Sequence, residues 1–167
     1  MSVTAAIAAN EQAIGEQSSN ARVTFRTQGA LEGPTLVKLV SREHTIEVDE
    51  PGVLAGGDAH ANPVEYALAS LASCQAITYR FWAAKLGIQL DGLEVAAEGD
   101  LDLHGFFGLD NTVRPGFTGI RLEVTPLGPE SPERYQELAD AVDAHCPVLD
   151  LFTNATPVER RIAVPAA

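Results

Sequence analysis

The chain has 167 residues, enough for one domain with its own core, and 46% of them are apolar, which argues against disorder. Its net charge of −12, from 23 acidic against 11 basic residues, repels phosphate backbones and anionic lipid, so nucleic acid and membrane surfaces are poor partners. The longest apolar stretch, residues 66–79, carries Ser70, Ser73, Gln75 and Thr78 and is too polar to span a bilayer, and no basic-then-apolar leader opens the chain, so the cytoplasm is the expected compartment.

Residues 1–20 are rich in Ala, Ser, Asn and Gln, with Ile7 and Ile14 a helical distance apart. They predict a weak helix or loose arm ahead of a single domain over residues 21–167. Residues 21–26, Ala-Arg-Val-Thr-Phe-Arg, alternate polar and apolar side chains and predict a half-buried strand. Gly29 and Gly33-Pro34 punctuate a turn. Residues 35–40 and 45–48 predict two more strands, completing an antiparallel meander of three.

A Gly-rich loop over 51–61 leads to the strongest local signal. Asn62 suits a helix N-cap, Pro63 the first helical position, and Glu65 the reciprocal position of a capping box. The helix is predicted to run to Leu86, about 36 Å at 1.5 Å per residue, with Gly87 as its stop. Ala67, Leu68, Leu71, Ala76, Ile77 and Phe81 leave it no wide polar face, so it requires burial on most sides. A domain this small achieves that more readily with a second copy, which predicts a homodimer.

Residues 93–103 and 118–125 predict two strands around an irregular Gly/Phe-rich loop. Ser131-Pro132-Glu133 opens a second helix, ending near His145 because Pro147 disfavours helical geometry at the residue before it. Pro147 begins a short third helix through Phe152, and residues 158–164 predict a closing strand. The mixture of antiparallel strands with helices between them is an α+β pattern.

Two cysteines carry the chemistry. Cys74 lies mid-helix and Cys146 directly before Pro147. Without an export signal they point to a reducing compartment, where a disulfide is more often transient than structural. Their spacing excludes a Cys-x-x-Cys motif, and no His/Cys spacing suits a closed zinc site. Phosphate loops, dinucleotide fingerprints and nucleophile elbows are absent from the sequence. Cys146, at the start of the short helix, is expected to have its thiolate favoured by free N–H groups, whereas Cys74 requires a basic neighbour from elsewhere. The plain alternative is that both are small buried hydrophobes. Glu65 lies nine positions before Cys74, about 180° around the helix, and points away from it. It serves either as the capping partner of Asn62 or as a carboxylate for a site across an interface. His44, His60, His104 and His145 have no spacing for a shared site.

The run Asn62-Pro63-Val64-Glu65 through Ala72-Ser73-Cys74 resembles the cysteine helix of the OsmC/Ohr-like family (osmotically inducible protein C and organic hydroperoxide resistance proteins). His145-Cys146-Pro147-Val148 resembles its second motif, and the order of elements agrees over residues 22–164. Asp100–Leu103 followed by Gly105-Phe106-Phe107 resembles a branch outside the well-studied peroxidases. The resemblance implies an OsmC-like fold and an intertwined homodimer with long central cysteine helices back to back. It implies a thiol peroxidase reducing organic hydroperoxides, with Cys74 the peroxidatic thiolate, Cys146 its resolving partner and an external dithiol as reductant. Metal, flavin and haem are not required. The peroxidases place a Glu directly after the Pro, where this chain has Val64, with Glu65 one residue later. They also use an Arg to hold thiolate and substrate; Arg22, Arg26 and Arg42 are the candidates here, Arg26 the first of them. A non-catalytic dimer binding an apolar small molecule, or a thiol redox sensor, fits the same fold.

Overall fold

The long helix forms where its caps predict. In the computed structural model, which describes residues 1–164, helix α2 spans Pro63–Leu86. The Asn62 side chain accepts the Glu65 N–H at 2.9 Å and the Glu65 carboxylate accepts the Asn62 N–H at 2.8 Å. These bonds satisfy two otherwise orphaned donors. Gly87 stops the helix in the left-handed region at φ 63°.

Ahead of it, helix α1 (Val3–Glu16) is capped by Ser2 and buries none of its residues. It lies on α2, with Lys85 Nζ 2.8 Å from Glu11 Oε1. Strands β1 (Gln28–Leu31), β2 (Val37–Ser41) and β3 (His44–Val48) form the antiparallel meander. Its first strand lies later than predicted. Residues 22–27 have no regular structure, and Val23 and Phe25 stand 70% and 87% exposed. Their alternation is not buried among the described residues, whereas Gln28–Leu31 pairs with Val40–Val37. Gly29, expected in a turn, sits in this strand, and its hydrogen is all that fits: a Cβ would lie 2.1 Å from the Lys38 carbonyl oxygen.

Strands β4 (Gly92–Leu101) and β5 (Phe117–Leu127) form a long antiparallel pair, Val95 opposite Val124. A one-turn helix α3 (Leu103–Phe106), capped by Asp102, interrupts the loop predicted to be irregular. Helix α4 (Pro132–Asp143) is capped by Ser131, and α5 (Pro147–Thr153) follows after Cys146. The closing strand predicted over 158–164 does not form. Those residues lack regular structure, with Val158 and Val164 89% and 81% exposed. A strand requires a neighbouring edge to accept its backbone hydrogen bonds, and these residues pair with no strand among the described residues.

α2 packs on β4 along one side and on α4 and α5 along another. The core lies at this junction: Tyr79, Ala83, Ile88, Leu90, Leu138, Val142 and Cys146 are buried together. Leu138 and Val142 are fully inaccessible, and burying each such side chain stabilises by about 1.5–3 kcal/mol. The predicted all-round burial of α2 is not met within one chain, because Ile77 and Phe81 remain 60% and 40% exposed. Among the described residues no helix is long and apolar enough to cross a membrane.

Candidate functional site

Two helix positions separated in sequence bring the cysteines together. α2 presents Cys74 toward α5, and the turn between α4 and α5 places Cys146 against it, with the sulfurs 3.5 Å apart. Both are free thiols, and the Cys146 thiol donates toward the Cys74 sulfur. Covalent closure to a bond of about 2.05 Å requires only a small approach. Cys74 is half-buried and Cys146 only 2% exposed.

Cys146 is the N-cap of α5, as the sequence predicts, but the expected ease of forming its thiolate is overturned. Burial pushes the thiol up from its ordinary value, and the neighbouring Cys74 sulfur adds to this. The Leu149 and Val148 N–H groups pull the other way without compensating. A seven-residue helix supplies these two donors, yet the apolar packing around the sulfur penalises its charge more. The neutral thiol form of Cys146 is therefore favoured.

The other predicted residues fall elsewhere. Glu65 closes the capping box and lies beside Leu68, Ala72 and Ala97, on the β4 side of α2 rather than the α5 side. Val64 is half-exposed at the helix start. Arg26 sits just ahead of β1, exposed, beside Phe25, Val40 and Arg42, its carbonyl accepting the Ser41 hydroxyl at 3.4 Å. No hydrogen bond or ion pair among the described residues joins it to either cysteine of its own chain. His145 adjoins Cys146 in sequence, but its Nδ1 pairs with the Ala141 carbonyl at 2.7 Å and its ring lies 4.1 Å from that of Trp82. His44, His60 and His104 pair separately with Glu43, Glu47 and Asp102.

Two features escaped the sequence reading. A cavity of about 510 Å³ opens between α2, β5 and α5, walled by Leu71, Phe117, Leu122, Leu149 and Phe152, with Arg114 at its edge. Gln75, next to Cys74, is completely buried, and neither amide atom has a hydrogen-bond partner. A polar residue inside an apolar helix was the available signal for Gln75. Nothing distinguished Arg114 from any loop cation.

The fold has counterparts among solved structures. An OsmC-like protein from Mycoplasma pneumoniae superposes with a TM-score of 0.69 at 19% identity, covering 78% of this chain and 87% of that one. A Legionella pneumophila protein described as an organic hydroperoxide resistance protein OsmC gives 0.61 at 18% identity, covering 78% and 90%. The organic hydroperoxide resistance protein OhrB of Bacillus subtilis gives 0.58 at 22% identity, covering 78% and 91%. No curated protein matches the sequence. The sequence profile of the family described as OsmC-like protein matches residues 56–161, a span that includes the capping box, the long helix and both cysteines. With most of its length matched and the fold in agreement, the chain belongs to the OsmC-like protein family.

Proposed function

We propose that the protein is a thiol-dependent peroxidase that reduces organic hydroperoxides through Cys74 and Cys146. The observation that carries this reading is the 3.5 Å contact between the two sulfurs at the rim of the core. Cys74, the more accessible and accepting sulfur, attacks the terminal peroxide oxygen. The O–O bond breaks, an alcohol leaves with the thiol proton, and Cys74 becomes a sulfenic acid. Cys146, which keeps its proton until then, condenses with it, releasing water and forming a disulfide. An external dithiol restores both thiols by exchange. No metal, flavin or haem takes part.

The working unit in this reading is a homodimer. The meander makes its principal contacts within itself, and β1 is exposed along its length. A second copy seated on it would set Arg26 near a cysteine pair from the other chain, and Glu65 would serve that interface. A charged partner, which no hydrogen bond or ion pair gives Cys74 among the described residues of its own chain, would then come from across it.

The test is turnover of cumene or tert-butyl hydroperoxide with a dithiol present, together with mass analysis after stoichiometric peroxide. The expected result is catalytic consumption, loss of two hydrogens from the protein, and abolition of both in Cys74→Ser. Free-thiol counts unchanged by peroxide would defeat the proposal. The apolar cavity favours one second reading, a binding dimer for an apolar small molecule. Undiminished ligand binding by Cys74→Ser, with no wild-type turnover, would favour it.

A further inference from the structure

Among the described residues three polar side chains are buried: Asp49, Gln75 and Thr78. Asp49 accepts bonds from Thr35 and from three backbone N–H groups, and Thr78 donates to the Cys74 carbonyl. Gln75 alone of the three is unpaired, at both its oxygen and its nitrogen. A buried amide without partners destabilises a fold, and Met or Leu would fill similar volume without that loss. Stability therefore does not explain the residue.

Its position does suggest a role. Leu71 precedes Cys74 by three residues and Gln75 by four, so both lie on the next turn behind it. Helical side chains lean toward the N-terminus, which carries the Gln75 amide toward the turn of Leu71. Leu71 and Leu149 wall the cavity, and Leu149 lies three residues after Cys146 on α5. The two leucines thus connect the cavity lining to the helix turns that carry the thiols and the unpaired amide.

We propose that Gln75 is the hydrogen-bonding group for the polar end of a molecule that enters through this cavity and passes Leu71 and Leu149 to reach Cys74. This rests on the peroxidase reading and names a further substrate-binding residue for it. An amide offers a donor and an acceptor side by side, and a hydroperoxide presents the same pair. Oε1 accepts the terminal hydroxyl of the peroxide, and Nε2–H donates to the oxygen bonded to carbon. When the Cys74 sulfur takes the terminal oxygen, the O–O electron pair stays on the carbon-bound oxygen. Nε2–H holds that oxygen while it collects the thiol proton and leaves as the alcohol. Sulfur is oxidised to the sulfenic acid and the peroxide is reduced.

The test compares the full-length wild type with Gln75→Met and Gln75→Leu. Melting temperatures equal to or above wild type are expected, because no hydrogen bond is lost. The kcat/KM for cumene hydroperoxide should fall by at least about tenfold, since both hydrogen bonds are lost and each is worth a net factor of up to about ten. Affinity for 2-phenyl-2-propanol, the product alcohol, should weaken by a similar factor. The alcohol arm requires no chemistry: if the wild type reduces no hydroperoxide, the peroxidase reading fails and alcohol binding alone decides the role of Gln75. Equal affinity in wild type and variants, or no binding to wild type, overturns the inference. A lowered melting temperature with unchanged kcat/KM also overturns it, since that marks an amide supporting the core.

Discussion

Asp49 shows how one carboxylate ties a loop to its sheet. It stands at the end of β3 and accepts from Thr35 Oγ1 at 2.6 Å, from the Glu50 and Gly57 N–H groups at 2.9 Å each, and from Ala59 at 3.4 Å. These bonds, that of Thr35 foremost, bring its pKa down to about 2. An unfolded Asp titrates near 3.9, so the folded chain releases this proton more readily than the unfolded one. The resulting stability is fully present above about pH 4 and disappears as pH falls through about 2. Melting temperature should decline across that window, and Asp49→Asn should flatten the decline; an unaltered profile in the variant would contradict the assignment. At this scale the sequence disclosed the residues whose neighbours are local. Asn62 and Glu65 cap each other three positions apart, and Cys146 precedes a proline. It concealed residues defined by what surrounds them in space. The orphaned amide of Gln75 and the cavity beside Arg114 arise only when α5 and β5 meet α2.

Among the elements, α2 depends most visibly on its first turn. Replacing Asn62 by Ala removes the acceptor for the Glu65 N–H. It should lower stability by about 1 kcal/mol in denaturant titration; no change would mean that Pro63 and the preceding loop suffice. Caps and prolines located α2, α4 and α5, whereas α1 was read only as a weak helix or loose arm and α3 is a single turn set by Asp102. The strands were less exact. Alternation located the meander but placed its first strand several residues early, because period-two patterning states which side chains share a face and not which backbone edge is available. Gly29 illustrates the difference: it reads as a turn residue, yet it is required where β1 passes close to the Lys38 carbonyl. The electrostatics of α5 were misjudged for a related reason. A helix N-terminus is visible in sequence, whereas the desolvation of Cys146 by residues of α2 and α4 is not.

At the scale of the whole molecule, apolar surface remains that one chain does not cover: Phe25, Leu31, Ile77, Phe81, Val158 and Ile162 are all substantially exposed. Exposed apolar area of this extent marks an association surface. Sedimentation at low micromolar concentration is therefore expected to give a dimer, and a stable folded monomer would refute the two-chain architecture. The strand predicted over 158–164 does not form, and Val158 and Ile162 of that segment add to the exposed apolar surface.

The chain has one tryptophan, Trp82, packed against the buried cluster that contains Cys146 and stacked on the ring of the adjacent His145. In the proposed cycle, closing the Cys74–Cys146 bond acts next to this imidazole. The indole is therefore expected to serve as a built-in optical gauge, its emission differing between the reduced and bonded sulfurs without dye, label or quench.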